Sequence, residues 1–378
     1  MRLGSLLPAI ALLLSPVLVQ AEVALAPARG KAVDVVLCLD TSNSMDGLID
    51  SAKRKLWAIV NDLAKVEPAP TLRVALYSYG NDLYDPKTGW VRKDVELTGD
   101  LDEVYKHLFA LSTKGGTEYV ARVTRDALAD LKWADGKDGL KILFVCGNEP
   151  VDQDKEVALD SVAAAAKLKG VVINTIYCGP ANHPEAAGWK AFAELAGGRY
   201  ANIDQDRAKS EVAFKTPFDD EIQKLGTRIN NTYCWYGKKG EAAALNQSAQ
   251  DKNAEKTAGD AATERGVTKA GKLYKNATCD LIDRIEIDKD FDLKTIKDED
   301  LPEDLKKLKP EERMPYLKKK AEERAAIQKQ VAELSVKRSK FIDDEKKKEP
   351  KGAADKAFDE ALKAILKEQA AAKGMKIQ

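Results

Sequence analysis

Hydrophobic residues in the first half of the chain fall into two alternating patterns. Short unbroken apolar runs at 33–39, 72–79, 142–146 and 171–178 predict strands buried on both faces. Between them, apolar residues recur three and four apart, the spacing of a helix with one buried face. Residues 48–63 show this through Ile49, Leu56, Ile59, Val60 and Leu63, and residues 101–111 through Val104, His107, Leu108 and Leu111. Helices are also predicted at 117–133, at the alanine-rich 155–168 and at 185–195, with a short strand at 199–203. Residues 90–97 are strand-like and follow a turn, Asp85-Pro86-Lys87-Thr88-Gly89, so they pair with 72–79 as an antiparallel edge hairpin. Alternating strands and helices predict an α/β fold, a doubly wound, mostly parallel six-stranded sheet with helices on both faces. Ligands of such sheets sit beyond the carboxyl ends of the strands, which directs attention to the loops after Leu39, Leu111 and Cys146.

Near residue 210 the pattern changes. Residues 212–229 form an amphipathic helix by spacing, 230–240 are turn-rich and aromatic (Tyr233, Trp235, Tyr236), and 241–283 are polar and helical in pieces. Acidic and proline turn signals fill 284–316, with Pro302, Pro310 and Pro315. A long charged helix follows at 317–348. Leu317, Ile327, Val331, Leu334 and Phe341 take coiled-coil-like positions there, but Lys320, Arg324 and Arg338 interrupt the seam. The helix is therefore expected to pack in a hairpin or on the body of the protein. Glu349-Pro350-Lys351-Gly352 is a breaker, and 353–370 make a last amphipathic helix through Phe358, Leu362 and Ile365. Residues 301–378 thus read as a charged helical C-terminal region, and 206–300 as a mostly helical accessory region with an aromatic turn.

With 378 residues the chain has room for two or three units, and its net charge of zero gives no field to attract nucleic acid. Its two histidines, His107 and His183, have no partner motif, which argues against histidine-based hydrolysis and a Ser-His-Asp triad. Met1 and Arg2, an apolar stretch over 3–19 and a small-residue site ending at Ala21 read as a signal peptide at 1–21. The expected location is outside the cytoplasm, periplasmic or secreted, with no membrane span after cleavage. Of five cysteines, Cys38, Cys146 and Cys178 lie in apolar strands. Cys234 and Cys279 lie in polar surroundings and, in an exported chain, are the disulfide candidates.

The chemistry concentrates where the first strand meets the first helix. Asp40, Ser42 and Ser44 form a D-x-S-x-S pattern there. One carboxylate and two hydroxyls are hard oxygen donors suited to Mg²⁺ or Mn²⁺. Another reading of the loop has Asp40 capping the helix and the serines satisfying backbone donors. Asp288, Asp290, Asp292 and Glu299 have calcium-loop spacing, but Leu293 stands where that loop needs glycine, so they read as a solvated acidic loop.

The strand 35–39, the D-x-S-x-S loop and Met45 resemble the metal-ion-dependent adhesion site of von Willebrand factor A domains. The resemblance covers 31–205, and the whole arrangement is similar to exported bacterial proteins with one such domain and a charged helical tail. It implies Asp40, Ser42 and Ser44 as metal ligands, with Thr117 of Gly115-Gly116-Thr117 as a fourth. Gly147 stands where the family usually has an aspartate, and Glu149 is a further candidate ligand. The resemblance implies a binding module and not an enzyme: the cation captures an Asp or Glu of a protein partner, with Asn43, Asp46, Glu118 and Asn148 on the rim. The alternative is a metal-independent scaffold of a cell-envelope assembly, acting through its helical tail.

Overall fold

The apolar run expected at 33–39 forms β1, Ala32–Asp40, the third strand of a six-stranded sheet. The structure is a computed structural model that describes residues 31–67, 69–136, 138–203, 215–257, 260–348 and 358–377. The expected leader, 1–21, lies outside the described residues. The remaining elements of the first half are α1 (Asp46–Leu63), β2 (Val66–Glu67), β3 (Thr71–Tyr79), β4 (Val91–Thr98), α2 (Leu101–Ala110), α3 (Val120–Asp130), β5 (Leu140–Gly147), α4 (Leu159–Lys169), β6 (Val172–Tyr177), α5 (Ala186–Leu195) and β7 (Tyr200–Asn202). The sheet order is β4-β3-β1-β5-β6-β7, and only β4 runs antiparallel to its neighbour. This is the doubly wound fold that the hydrophobic pattern predicts.

Alternate residues of β1 serve two cores, as a strand's two-residue period requires. Val33, Val35, Leu37 and Leu39 face the core shared with α1 and α2, whereas Val36 and Cys38 face the core shared with α3, α4 and α5. Asp34 falls on the second face and is fully buried. Two hydrogen bonds from Arg73, 2.7 and 2.9 Å, and one from the Ala134 N–H satisfy it.

Helix α3 starts later than its spacing suggests. Residues 112–119 are in neither helix nor strand, so Thr117 lies in a loop and not in a first helical turn.

The second half of the described chain is helical: α6 (Asp219–Arg228), α7 (Gly237–Lys256), α8 (Ala261–Ala270), α9 (Leu281–Ile287), α10 (Glu303–Lys306), α11 (Pro310–Lys346) and α12 (Phe358–Ala372), ending in β8 (Lys376–Ile377). Pro315 is not a turn residue, because α11 begins earlier. Pro310 starts the helix, and the Glu312 carboxylate accepts the Lys309 N–H at 3.0 Å. The seam of α11 meets several short elements in place of one long partner helix. Leu317 packs with Leu281, Ile282 and Leu305, whereas Ile327 and Val331 pack with Ile222, Leu225 and Ile229. The arginines that interrupt the seam are anchors. Arg324 reaches Asp280 at 2.8 Å and Asp283 at 3.0 Å, and Arg338 reaches Asp219 at 2.8 Å and Asp260 at 3.1 Å.

The expected disulfide is absent: Cys234 and Cys279 are free, buried thiols. Trp235 and Asp280 form an antiparallel bridge, with the Leu281 N–H bonded to the Cys234 carbonyl and the Tyr236 N–H to that of Cys279. The two cysteines therefore sit on a diagonal of that pair. Diagonal neighbours lie about 7–8 Å apart, and cysteines whose Cα atoms are more than about 7 Å apart cannot be bridged without backbone movement. Tyr233 stacks on Trp235 at 4.8 Å, and Arg324 lies over Tyr233 at 4.0 Å; both rings join the core of α1 and α2, whereas Cys234 and Tyr236 pack with Leu281 and Leu317. In the acidic loop, Asp288 and Asp292 accept the N–H groups of Asp290 and Lys294.

Buried polar contacts join the two halves. Arg265 of α8 is 1% exposed, lies 4.8 Å over the Trp57 ring of α1, and bonds Asp102 of α2 and Asp251 of α7. Asp102 also accepts from the Tyr274 hydroxyl. Helix α12 lays Leu362, Ile365 and Leu366 into the core of α1, and β8 pairs with β2. The C-terminal region is thus built into the body, and no helix among the described residues is long and apolar enough to cross a membrane. Replacing Arg265 with alanine leaves Asp102 buried without its cation, while Asp251 keeps Lys269 at 2.8 Å. That change is expected to cost about 3–5 kcal/mol, read as a lower urea midpoint. Stability within about 0.5 kcal/mol of the parent would show that Arg265 does not hold the halves together.

Candidate metal-binding site at the sheet edge

The strand register builds the site. Asp40 pairs with Tyr79 of β3 on one side, and Leu39 pairs with Cys146 of β5 on the other. The Asp40 carboxylate therefore emerges between the ends of two neighbouring strands. The chain turns at once, because Asp40 Oδ1 accepts the Ser42 N–H at 2.8 Å and the Ser42 carbonyl accepts the Met45 N–H at 3.1 Å. Ser42 Oγ and Ser44 Oγ end 3.2 Å apart.

Neighbouring segments clamp this loop from outside. The Asn43 N–H donates to the Gly115 carbonyl at 3.0 Å, and the Gly115 N–H returns a bond to Asn43 Oδ1 at 2.9 Å. The Asn81 side chain donates to the carbonyls of Thr41 and Ser112. Sequence reasoning read a turn at 85–89 but assigned neither Asn81 nor this loop to the site. The Gly80-Asn81 dipeptide after a strand was the available signal.

Asp40 and Ser42 are buried, Ser44 is exposed and Thr117 is half-buried, and the Asn43–Gly115 bonds hold the segment carrying Thr117 beside this loop. Asn148, expected on the rim, is half-buried, and its Oδ1 accepts a hydrogen bond from the exposed Ser44 Oγ at 3.3 Å. The Glu149 carbonyl is held by the Trp189 indole at 2.8 Å, and its half-buried side chain adds negative potential near Asp40. Asn43 and Asp46 are exposed, as a rim requires. Glu118 is a correction. It is 6% exposed and bonded to Gln153, so it lies beneath the loops and not on the rim. Burial raises its pKa.

Gly147 is explained by its neighbours. A Cβ there would lie 2.6 Å from the Tyr79 hydroxyl and 3.0 Å from both Asp40 Oδ2 and the Trp189 ring. Tyr79 Oη is itself fixed, donating to the Cys146 carbonyl at 2.9 Å. Tyrosine thus occupies the space that a side chain at 147 would need, and the site keeps a single central carboxylate.

That carboxylate is out of balance. Asp40 is fully buried, and its Oδ2 has no hydrogen-bond partner. Burial raises its pKa to about 8 against the opposing Ser42 hydrogen bond, and the charges of Glu118 and Glu149 push the same way. A buried, unpartnered carboxylate oxygen beside paired hydroxyls calls for a proton or a cation. Among the described residues no three His, Cys, Asp or Glu side chains converge on one point. The donors here are mainly hydroxyl and amide oxygens, which suit a hard divalent ion.

Residues 34–209 match the model of the von Willebrand factor type A domain, and the six-stranded sheet with its flanking helices is that domain's fold. Such domains commonly mediate protein–protein interactions through a metal-ion-dependent adhesion site. Solved structures that match include proximal thread matrix protein 1 from the mussel byssus with a zinc-occupied site of that kind. It has 12% identity, covers 48% of this chain and 44% of that one, and gives a TM-score of 0.38. A von Willebrand factor type A protein from Catenulispora acidiphila has 15% identity, covers 49% of this chain and 44% of that one, and gives a TM-score of 0.36. An aerotolerance-related membrane protein from Bacteroides fragilis has 15% identity, covers 47% and 96%, and gives a TM-score of 0.33. This chain spans less than half the length of the mussel and Catenulispora chains. No curated protein matches.

The Gly147 contact is testable by a double-mutant cycle. Gly147→Ala is expected to cost about 1–3 kcal/mol through overpacking against the Tyr79 hydroxyl. In a Tyr79→Phe background the same change costs less. Equal costs in both backgrounds, read by urea unfolding, would remove Tyr79 as the obstacle.

Proposed function

We propose that the protein is an extracytoplasmic binding module, not an enzyme, which captures an Asp or Glu of a protein partner at a divalent-cation site. The observation that carries this reading is the buried, unpartnered Asp40 Oδ2 beside the hydroxyls of Ser42 and Ser44. Those three residues would hold Mg²⁺ or Mn²⁺, with Thr117 and Asn148 as further oxygen donors and Glu149 nearby. The cation would supply local positive charge to a bound carboxylate. The chain's own residues do the rest. Asn43 and Asn81 keep the loop in place, Tyr79 denies the site a second central carboxylate, and burial of Asp40 keeps its charge unscreened.

With a single central carboxylate the site neutralises only part of a divalent charge. The remainder favours an anionic partner group, and that is the physical basis for capture. An exported location accords with the leader-like 1–21. The alternative is a metal-independent scaffold acting through its helical tail, which Arg324, Arg338 and α12 tie to the body.

Calorimetric titration of residues 22–378 with Mg²⁺ and Mn²⁺ tests the reading. Saturable binding is expected, and Asp40→Ala should abolish it. No binding to the parent, or equal binding to the variant, would sink the proposal.

The raised pKa adds a second expectation. The folded value of about 8 exceeds the unfolded value of about 3.9, so protonated Asp40 stabilises the metal-free fold at acid pH. That contribution falls away as pH rises from about 4 through about 8. Cation uptake at neutral pH should therefore release a proton, seen as a binding heat that varies with buffer ionisation enthalpy. No buffer dependence at pH 7 would show that Asp40 is already ionised.

A further inference from the structure

Trp90 has a φ of 53° and is the one non-glycine residue with positive φ among the described residues. Left-handed backbone is costly for a bulky side chain, and such strain persists where the surroundings enforce it, often at functional sites. The surroundings here are well defined. Trp90 follows Gly89, where a Cβ would lie 2.4 Å from the Arg122 side chain and 3.0 Å from the Tyr119 ring. The Trp90 ring meets Tyr119 edge-on at 5.7 Å, and the Arg122 guanidinium covers the Tyr119 ring at 5.0 Å. Arg122 in turn holds Asp154 with two bonds of 2.8 and 2.9 Å. The strained residue thus lies in a stack that ties the 80–90 loop to the loop after β5.

This stack borders the proposed cation site. The Trp90 carbonyl accepts the Gly80 N–H at 3.1 Å, and a Cβ on Gly80 would lie 2.9 Å from Asp40 Oδ1. Tyr119 stands two residues after Thr117. In the 80–90 loop Leu83 is 65% exposed, and the neighbouring Asp82 N–H bonds the Lys114 carbonyl, which brings this stretch beside the Thr117 segment. Trp90 and Tyr119 are only half-buried. Tryptophan, tyrosine and arginine are the residues in which interface energy concentrates.

The charges describe the occupant. Asp46, Asp82 and Asp85 are exposed around the site, with Lys87 and Lys114, and the carboxylates of Asp40 and Glu118 lie below them. An acidic face with one cation admits a single carboxylate and repels further negative charge.

On the basis of the cation site proposed above, we infer that Trp90, Tyr119 and Leu83 form the apolar half of the partner-binding surface. The occupant is a protein loop that presents one Asp or Glu beside a bulky apolar side chain, with basic residues flanking the pair. The carboxylate meets the cation, the apolar side chain meets Trp90, and the flanking bases meet the acidic rim.

The test uses the full mature chain with saturating Mg²⁺ and a blocked peptide, Gly-Lys-Asp-Leu-Lys-Gly. Controls replace its Asp with Asn, its Leu with Gly, or both Lys with Glu. The parent peptide should bind, and each control should bind more weakly. Trp90→Ala should weaken the parent peptide at least about tenfold while leaving the Mg²⁺ titration unchanged. The peptide's Leu→Gly change should then cost nothing further in the variant. Trp90→Gly, whose backbone accepts positive φ, guards against misfolding: it should melt no lower than the alanine variant and still lose the peptide. Mg²⁺ binding with no peptide binding, or equal peptide affinity in parent and Trp90 variants, would overturn this inference and leave the cation site standing. Failure of Mg²⁺ to bind would overturn both.

Discussion

The structure depends on the pairing of β1 between β3 and β5. Hydrogen bonding along both edges fixes its register, and a slip of one residue would exchange its two faces. Val33, Val35, Leu37 and Leu39 would then lose their core, and Asp34 would leave Arg73. The same register delivers Asp40 between Tyr79 and Gly147. Packing of the strand thus sets the electrostatics at its end, since burial on both sides is what leaves the carboxylate short of partners.

Much of this was legible in the sequence. Continuous apolar strands alternating with helical spacing gave the sheet and its antiparallel edge, because these signals are local and periodic. The loop with Asp40, Ser42 and Ser44 was legible for the same reason, since its residues are adjacent. What escaped notice was non-local. Nothing near Gly147 announces that Tyr79, on another strand, fills the space beside it. Asn81 looks like an ordinary turn residue until its bonds to Thr41 and Ser112 are seen. Glu118 looks like a solvent-facing acid beside Thr117, yet the chain path buries it.

The helical half shows the opposite fault, a correct observation with an incomplete meaning. Arg324 and Arg338 do break the apolar seam of their helix. They break it because each carries several acidic partners into the interior, where a guanidinium satisfies many acceptors at once. The free cysteines teach a related lesson. Proximity was right, since Cys234 and Cys279 flank one bridge, but the diagonal register decides the bonding.

One contact far from the site shapes how the molecule is held. The Lys31 ammonium, just before β1, reaches the carbonyl of Lys373, next to the final strand. The two ends of the described chain therefore meet at the pole where β1 begins, and Asp40 lies at the opposite pole. A surface or bead attached beside Lys31 or Lys373 would therefore leave the loops around Asp40 facing outward.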